Sequence, residues 1–249
     1  GVTKAKNTIH FVAFNRGKRS IAIDLAKEEG RRIAGDLVTS ADVVIESFRP
    51  GVASRLGLGY LEASKVNPEI IYMSVSGYGQ EGPNRERPTV DGVIQAFSGM
   101  MVMNGSVDKP HRQSMVVIDA VTGLYGFQAV SAALMRKVRF GTGSFIDMSL
   151  MQSAAAFQAA KLMEAASEGP SPGPLYSPSG VFETADGHIL LSAMRSRNFE
   201  VLCDVLGCPQ LAADPRFGSV DDRNANRHDM NRVLHERLRT RTTDEWLAL

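Results

Sequence analysis

Asp119 is the residue whose type and position in the sequence most favour chemistry. It follows an apolar run at residues 115–118, and it is the only charged side chain between Met115 and Met135. A carboxylate at the start of a helix can cap that helix by accepting hydrogen bonds from free backbone N–H groups, which is the commoner role. The same N–H groups can instead hold it as an anion that attacks an activated acyl group.

Two glycines and a second acid extend this pattern. Gly123 and Gly126 lie about one and two turns beyond Asp119, and we expect them to leave room beside it for a bulky substrate. Asp91 begins a predicted helix that runs to about Met100, and it can cap that helix.

Other sequence patterns for catalysis or cofactor binding are missing. There is no G-x-G-x-x-G after the first predicted strand, no G-x-x-x-x-G-K-[ST] and no G-x-S-x-G, so phosphate loops and serine-hydrolase chemistry are not indicated. His228 and His235 are seven residues apart without an acid placed to complete a site. We therefore predict no metal site.

Alternating strands and helices must position these residues. Residues 20–25, 41–48 and 69–75 have strand patterns, and residues 27–38 and 60–66 have the helical patterns between them. This order predicts an α/β fold with a doubly wound, Rossmann-like parallel sheet. Ligands bind beyond the carboxyl ends of the strands in such sheets, here at residues 46–48 and 76–78.

The later part of the chain predicts a second, smaller α+β domain. A strand at residues 144–148 and a helix at 150–168 complete a large domain, residues 1–168. Residues 169–180 are mostly proline and glycine and form a predicted linker. Residues 181–249 form the small domain, which begins with a hairpin around Asp186-Gly187 and continues with helices at about 198–206 and 224–240.

Composition limits the classes of partner. The chain has 249 residues, 43% of them apolar, and a net charge of +1 without a basic block, which argues against nucleic-acid or membrane-surface binding. We find no apolar stretch long and uncharged enough to span a bilayer. The two cysteines, Cys203 and Cys208, form no C-x-x-C pair, so a reducing, cytoplasmic setting is predicted.

Several stretches, taken together and in order, resemble the class III CoA-transferases, the family of formyl-CoA and carnitine CoA-transferases. They are NRGKRSIAIDL (15–25), ADVVIESFRPGVASRLGLGY (41–60), NPEIIYMSVSGYGQEGP (67–83), DGVIQAFSGMM (91–101), IDAVTGLYG (118–126), GTGSFIDMSL (141–150), DGHILLSA (186–193) and DPRF (214–217). The family's opening strand and helix and its C-terminal return to the first domain have no counterpart, so we expect an interior portion of such a protein.

The resemblance implies covalent catalysis by Asp119. Its carboxylate would attack an acyl-CoA thioester, pass through an aspartyl anhydride and an aspartyl-CoA thioester, and transfer CoA to a carboxylic acid acceptor. CoA and acyl-CoA would be substrates, with no tightly bound cofactor. The family also forms interlocked homodimers, which we expect here.

The resemblance further implies which residues contact the substrates. Ser47, Phe48, Arg49 and Arg55 match positions that bind CoA, and residues 23–26, beginning with Ile23, match the adenine side. Asp91 matches an acid or polar residue near the reacting thioester, as an alternative to capping. The loops at residues 85–89 and 104–113 are expected to set specificity, and residues 169–180 either shield the site or are a plain linker.

Two alternatives share the predicted fold. One is an acyl-CoA racemase or isomerase of the kind represented by the α-methylacyl-CoA racemases, which resemble this chain but carry Gly-His-Asp where it has Thr89-Val90-Asp91. Valine cannot transfer the proton that racemisation requires, so this position favours the transferase. The other alternative is a non-catalytic CoA-binding subunit.

Overall fold

The computed structural model describes residues 9–169 and 174–249. The chain divides into two compact units, Gly1–Leu162 and Met163–Leu249. The division falls inside a helix and before the predicted linker, of which residues 170–173 lie outside the described part. The elements up to and including that helix are α1 (Ile9–Phe14), α2 (Glu28–Ser40), β1 (Val43–Glu46), α3 (Val52–Arg55), α4 (Tyr60–Val66), β2 (Ile71–Ser76), α5 (Asp91–Phe97), α6 (Met100–Met103), α7 (Val117–Phe140), β3 (Ser144–Ser149), α8 (Leu150–Phe157) and α9 (Ala159–Glu168).

The first unit contains a parallel sheet of three strands in the order β1-β2-β3. Its register places Ile45 beside Met73 and Met73 beside Ile146. The central strand β2 is almost entirely buried, as its continuous apolar run predicts. The prediction of an α/β fold with a parallel sheet is therefore confirmed.

Helices pack on both faces of this sheet. Tyr72 of β2 contacts Tyr60 at the start of α4, with ring centroids 6.1 Å apart. The next residue, Met73, faces Gly126 of α7. Successive side chains of a strand point to opposite faces, so α4 lies on one side of the sheet and α7 on the other.

The predicted first strand, residues 20–25, is wrong. These residues form an irregular segment before α2, and Ile21 is exposed. In the described part of the chain they have no neighbouring strand, and a strand alone cannot satisfy its backbone N–H and C=O groups. The third strand of the sheet is β3 instead, which was predicted separately.

Helix breaks lie within three of the predicted helical regions. Gly99, with φ of +81°, separates α5 from α6. Gln158 separates α8 from α9, and its side chain donates to the Ser98 hydroxyl at 3.1 Å. Asn226 separates the last two helices of the predicted 224–240 region. Helical periodicity continues across such breaks, which the sequence pattern did not reveal.

Helix α7 is 24 residues long and largely apolar. By length and composition it is the one helix among the described residues that is long and apolar enough to cross a membrane. The expectation that no stretch would do so is wrong. The helix packs against β2, β3, α5 and α8, but only 28% of its most apolar window is buried in this way.

The second unit, described by itself, begins with an antiparallel hairpin of β4 (Ser179–Glu183) and β5 (His188–Ser192). Its turn contains Asp186-Gly187, which confirms the predicted hairpin. The helices that follow bury a cluster that includes Phe199, Leu234 and Trp246. They are α10 (Ser196–Val205), α11 (Pro209–Ala213), α12 (Val220–Ala225), α13 (Arg227–Leu238) and α14 (Thr243–Leu247), with a 3-10 turn at Pro215–Phe217.

Arg223 is fully buried in this unit and holds two loops together. Its guanidinium donates to the carbonyl oxygens of Ser177 at 2.9 Å and Phe217 at 3.1 Å, and it lies 4.8 Å from the Phe199 ring centroid. Hydrogen bonds from a charged donor stabilise more than neutral ones, and their removal leaves two buried carbonyls without a donor.

We expect Arg223→Met to lower the free energy of unfolding of the second unit by about 2–4 kcal/mol, from the two lost charge-assisted bonds. Urea denaturation followed by fluorescence measures this directly, because Trp246 is the only tryptophan and lies in this unit. The control is Arg232→Met, which removes an exposed ion pair with Asp229 and should cost under about 1 kcal/mol. Equal midpoints for the two variants would contradict the prediction.

Candidate active site

A cavity of about 770 Å³ opens at the carboxyl ends of β1 and β2 in the first unit. The volume lies in the range typical of small-molecule sites. Its walls come from the ends of these two strands, from the loop before α5 and from one face of α7. The cavity is therefore at the edge of the sheet where the sequence predicted ligand binding.

The turn after β1 contributes three of the predicted CoA-binding residues. Ser47, Phe48 and Arg49 all line the cavity. The Glu46 carboxylate shapes this turn, because it accepts a hydrogen bond from the Phe48 N–H at 2.7 Å and another from the Ser74 hydroxyl. The side chain at the strand end thus ties the turn to the neighbouring strand.

The other two predicted CoA-binding residues lie outside the cavity lining. Ile23 is in the irregular segment before α2, with its Cγ2 atom packed close to Gly30. Arg55 ends α3 and is exposed, and its guanidinium turns back toward Gly51. Ile23 and Arg55 are thus not lining residues, although the Arg55 guanidinium lies beside the turn that follows Arg49.

One face of α7 forms the opposite wall. Its lining residues recur at the spacing of a helical stripe and are Asp119, Thr122, Gly123, Gly126, Phe127 and Val130. Sequence reasoning selected Asp119 and the glycines but missed Thr122, Phe127 and Val130. The spacing from Asp119 was the signal that would have found them.

The two glycines of this wall have different neighbours. A Cβ atom at Gly123 would meet no atom within 4 Å, so this position opens into the cavity. A Cβ atom at Gly126 would lie 3.1 Å from Cε of Met73, so this position is also a close packing contact between α7 and β2. The prediction that both glycines leave space beside Asp119 holds fully only for Gly123.

Asp119 is the third residue of α7 and not its N-cap. The N-cap is Val116, which has no side chain able to accept a hydrogen bond. In the described part of the chain, no hydrogen bond reaches the Asp119 carboxylate, which lines the cavity and remains open to solvent. Packing of protein atoms around it, and secondarily the charge of Asp91, raise its pKa above the ordinary value of 3.8. The capping interpretation of Asp119 is wrong.

Asp91 caps α7 instead. Its side chain is 4% exposed, and one carboxylate oxygen accepts hydrogen bonds from the N–H groups of Ile118 at 2.7 Å and Asp119 at 3.2 Å. It does not cap its own helix: α5 begins at Asp91, and the N-cap position is Val90. Asp91 therefore lies behind the backbone of Asp119 and is not among the cavity-lining residues.

Arginines from the loop before α5 add positive charge to the cavity. Arg85 and Arg87 line it together with Arg49, against the single carboxylate of Asp119. Of the two loops expected to set specificity, residues 85–89 contribute to the lining and residues 104–113 do not. The charge balance suits an anionic ligand.

Metal binding has no visible basis in residues 9–169 and 174–249, which contain no cluster of three or more His, Cys, Asp or Glu side chains suited to a metal. Cys203 and Cys208 are buried free thiols of the second unit. Burial raises the pKa of Cys203 to about 12, which keeps it in the unreactive thiol form.

Comparison with known proteins agrees with the sequence motifs. The family model for CoA-transferase family III matches residues 1–249. Acetyl-CoA:oxalate CoA-transferase of Acetobacter aceti is 37% identical over 248 residues, covering 96% of this chain and 64% of the relative. Succinyl-CoA:glutarate CoA-transferase of Mus musculus is 35% identical over 248 residues, covering 96% of this chain and 57% of the relative.

Solved structures of similar proteins also match this chain. A crystal structure of Rv3272 from Mycobacterium tuberculosis superposes with a TM-score of 0.85 at 34% identity, covering 94% of this chain and 63% of the other. A CAIB/BAIF family protein from Brucella suis gives a TM-score of 0.80 at 36% identity, covering 94% of this chain and 64% of the other. The chain thus spans less than two thirds of the length of these relatives. It belongs to CoA-transferase family III.

Proposed function

We propose that the protein is a CoA-transferase that moves CoA from an acyl-CoA thioester to a carboxylic acid. The observation that carries the proposal is the position of Asp119, a carboxylate without a hydrogen-bond partner in the described residues, on the wall of an arginine-lined cavity. Family membership and the names of the relatives support the same reaction class. Asp119 would be the nucleophile.

The proposed reaction proceeds in balanced steps. The Asp119 carboxylate attacks the thioester carbonyl, the C–S bond breaks, and CoA thiolate leaves an acyl-aspartyl anhydride. The thiolate attacks the aspartyl carbonyl, which releases the donor acid and forms an aspartyl-CoA thioester. The acceptor carboxylate then attacks that thioester to form a second anhydride and free thiolate. Attack of the thiolate on the acceptor's acyl carbon forms the new acyl-CoA and restores Asp119.

The cavity walls support this chemistry. Met73, Phe127 and Val130 add apolar surface to the cavity that Asp119 lines, and hydrolysable intermediates require surroundings poor in water. The N-terminus of α7 stabilises the attacking anion, while partial burial opposes its ionisation and keeps it basic. Residues 169–180, considered as a shield from the sequence, lie partly outside the described residues and take no part in the proposal.

We further propose that the acceptor is a dicarboxylic acid. The two relatives named above act on oxalate and glutarate according to their names. Arg49, Arg85 and Arg87 offer guanidinium groups for the phosphates of CoA and for a second carboxylate of the acceptor. One carboxylate would react while the other is held by an arginine.

A CoA-acceptor screen tests both statements. The intact protein is incubated with succinyl-CoA or acetyl-CoA and with pairs of acids of equal chain length, such as glutarate and valerate. New acyl-CoA is measured by mass spectrometry. We expect turnover with a dicarboxylate and little with its monocarboxylate partner. CoA binding without turnover across the panel would favour a non-catalytic subunit.

The racemase alternative receives no support from the site. Val90, which stands where the racemases have histidine, lines the cavity and is apolar. No imidazole replaces it in the cavity lining. Exchange of deuterium at the α-carbon of an acyl-CoA, without any acceptor acid, would argue for racemisation and against the proposed transfer.

A homodimer is part of the proposal. In the first unit, apolar side chains of α1 and α7 are exposed, among them Ile9, Phe14, Val138 and Phe140. Monomeric proteins rarely leave such side chains uncovered in contiguous patches. Light scattering after size-exclusion chromatography gives the mass, and a monomer at micromolar concentration would contradict the proposal. The cytoplasmic location remains a prediction.

The raised pKa of Asp119 predicts the pH dependence of its acylation. Only the ionised carboxylate attacks, so the rate should rise with pH through a midpoint above 3.8 and then level off. The measurement is the single-turnover rate of adduct formation with saturating acetyl-CoA, whose acyl group carries no carboxylate of its own. A midpoint at or below the ordinary value would contradict the prediction.

A further inference from the structure

Gln95 is a fully buried glutamine of α5 whose side chain joins the first residue of its own helix to the segment before α7. Its Nε2 donates to Oδ1 of Asp91 at 2.6 Å, with longer contacts to the carbonyl oxygens of Met115 at 3.3 Å and Gln113 at 3.4 Å. Its Oε1 accepts from the Gln113 N–H at 2.9 Å. The amide therefore fixes the segment that leads into α7.

Asp91 continues this connection into α7 itself. Its Oδ1 is held by Gln95, and its Oδ2 accepts from the N–H groups of Ile118 and Asp119. The first N–H groups of a helix lack partners within the helix, and Val116 cannot supply one. The Asp91 carboxylate, 27 residues upstream of Ile118, is the acceptor instead.

Burial of the Asp91 carboxylate costs more free energy than a purely structural cap of α7 would require. A serine, threonine or asparagine at position 116 would cap the helix locally without burying a charged group. Asp91 has no salt-bridge partner in the described residues, and burial of an unpaired carboxylate is unfavourable. The charged groups near it are Asp119 on α7 and Arg112, whose Nε lies 3.0 Å from the Cβ position of the adjacent Gly92.

We propose that Asp91 and Gln95 are positioning residues for Asp119, acting as a buried clamp on the first turn of α7. The inference rests on the proposed function, because it assigns the clamp a purpose in the attack by Asp119. The clamp holds the backbone N–H of Asp119, which directs the side chain of this residue into the cavity. Neither residue is among those lining the cavity, so both act through Asp119.

The clamp also places a fixed negative charge behind the nucleophile. The N-terminus of α7 favours the anionic form of Asp119, whereas burial and, to a smaller extent, the neighbouring Asp91 carboxylate raise its pKa. The rise in pKa offsets part of the stabilisation of the anion by the helix N-terminus. The nucleophile then keeps more basicity than a carboxylate stabilised by the helix alone.

Two variants and a matched control test the clamp. Gln95→Met keeps the length of the side chain and removes its amide, and Asp91→Asn removes the charge. The control is Gln158→Met, since Gln158 is a buried glutamine of the same unit that donates to Ser98 and to the Ala154 carbonyl and not to the first turn of α7. Thermal stability, kcat, KM for acyl-CoA and the pH midpoint of acylation are measured for each.

We expect Gln95→Met to lower kcat by about tenfold, because misorientation of a reacting group costs at least this much, with a smaller change in KM. Asp91→Asn should shift the acylation midpoint to lower pH, since the like charge is lost. Gln158→Met should lose stability and keep the midpoint. The clamp is refuted if kcat, KM and the midpoint of both variants match those of the control.

The outcomes also separate the clamp from the proposed function. A wild-type protein that forms no adduct would refute the nucleophile. The ionisation of Asp119 would still be measurable from the pH dependence of carbodiimide labelling of its peptide. An unchanged labelling midpoint in Asp91→Asn would then refute the clamp independently. If Asp91→Asn does not fold, Gln95→Met tests the clamp by itself. A larger loss in kcat than change in KM would support the clamp, and equal or no changes would refute it.

Discussion

Replacement of Asp119 by asparagine is expected to abolish the covalent intermediate and to lower turnover by at least about a thousandfold. The substitution keeps the shape of the side chain and removes the charged oxygen that attacks the thioester. The carboxylate takes part in no hydrogen bond within the described residues, so its loss leaves the packing of α7 unchanged. A large loss of activity with unchanged stability is the signature of a nucleophile.

Intact mass spectrometry measures this result. Wild-type protein incubated with acetyl-CoA should gain the mass of an acyl or CoA adduct, and peptide mapping should place the adduct on Asp119. Asp36→Asn is the control, because Asp36 is an exposed acid of α2 that pairs with Arg32 on the surface. Full turnover in Asp119→Asn would contradict the proposed mechanism.

Filling the space at Gly123 is expected to give the second largest loss. Gly123→Leu should lower kcat/KM by about a hundredfold, because the new side chain occupies the cavity beside Asp119. The fold should not suffer, since a Cβ atom there meets nothing within 4 Å. Leucine also has a higher helix propensity than glycine, so stability should rise by about 0.5–1 kcal/mol.

Gly126→Ala provides the contrast for this prediction. Its Cβ atom would lie 3.1 Å from Met73, which must move to accept it. We expect this variant to gain less stability than Gly123→Ala, or to lose some, while substrate binding changes less than in Gly123→Leu. Thermal unfolding and substrate kinetics of the three variants separate the two glycines. Equal kinetics for Gly123→Leu and wild type would show that the cavity wall is not used.

Much of the α/β unit was predictable because its signals are local. The strands β1 and β2 lie in apolar runs, and all three strands were found within a few residues of their observed bounds. The helix at Tyr60–Val66 was found at its observed ends. Residues 20–25 have a similar alternating pattern but no neighbouring strand among the described residues. Alternation of apolar and polar residues indicates that a segment can form a strand. Whether the strand forms depends on a neighbouring strand.

The candidate site was predictable to the extent that it follows strand ends and one helical stripe. Ser47, Phe48 and Arg49 come directly after β1, and all three line the cavity. Ile23 and Arg55 were assigned by resemblance alone, and neither is among the residues that line the cavity. Gln95 was missed, because an apolar-flanked glutamine gives no sign of a partner 18 residues away.

The sequence alone was enough to establish the family, the parallel sheet and Asp119 as the acid of interest, because motifs, periodicity and isolated charges are properties of short segments. The separate roles of Asp119 and Asp91 depended on the tertiary structure. Asp119 has the sequence position of a cap, yet Asp91 of another helix makes the capping hydrogen bonds. Which acid caps and which faces the cavity depends on how α5 packs against α7, and that contact joins residues 27 positions apart.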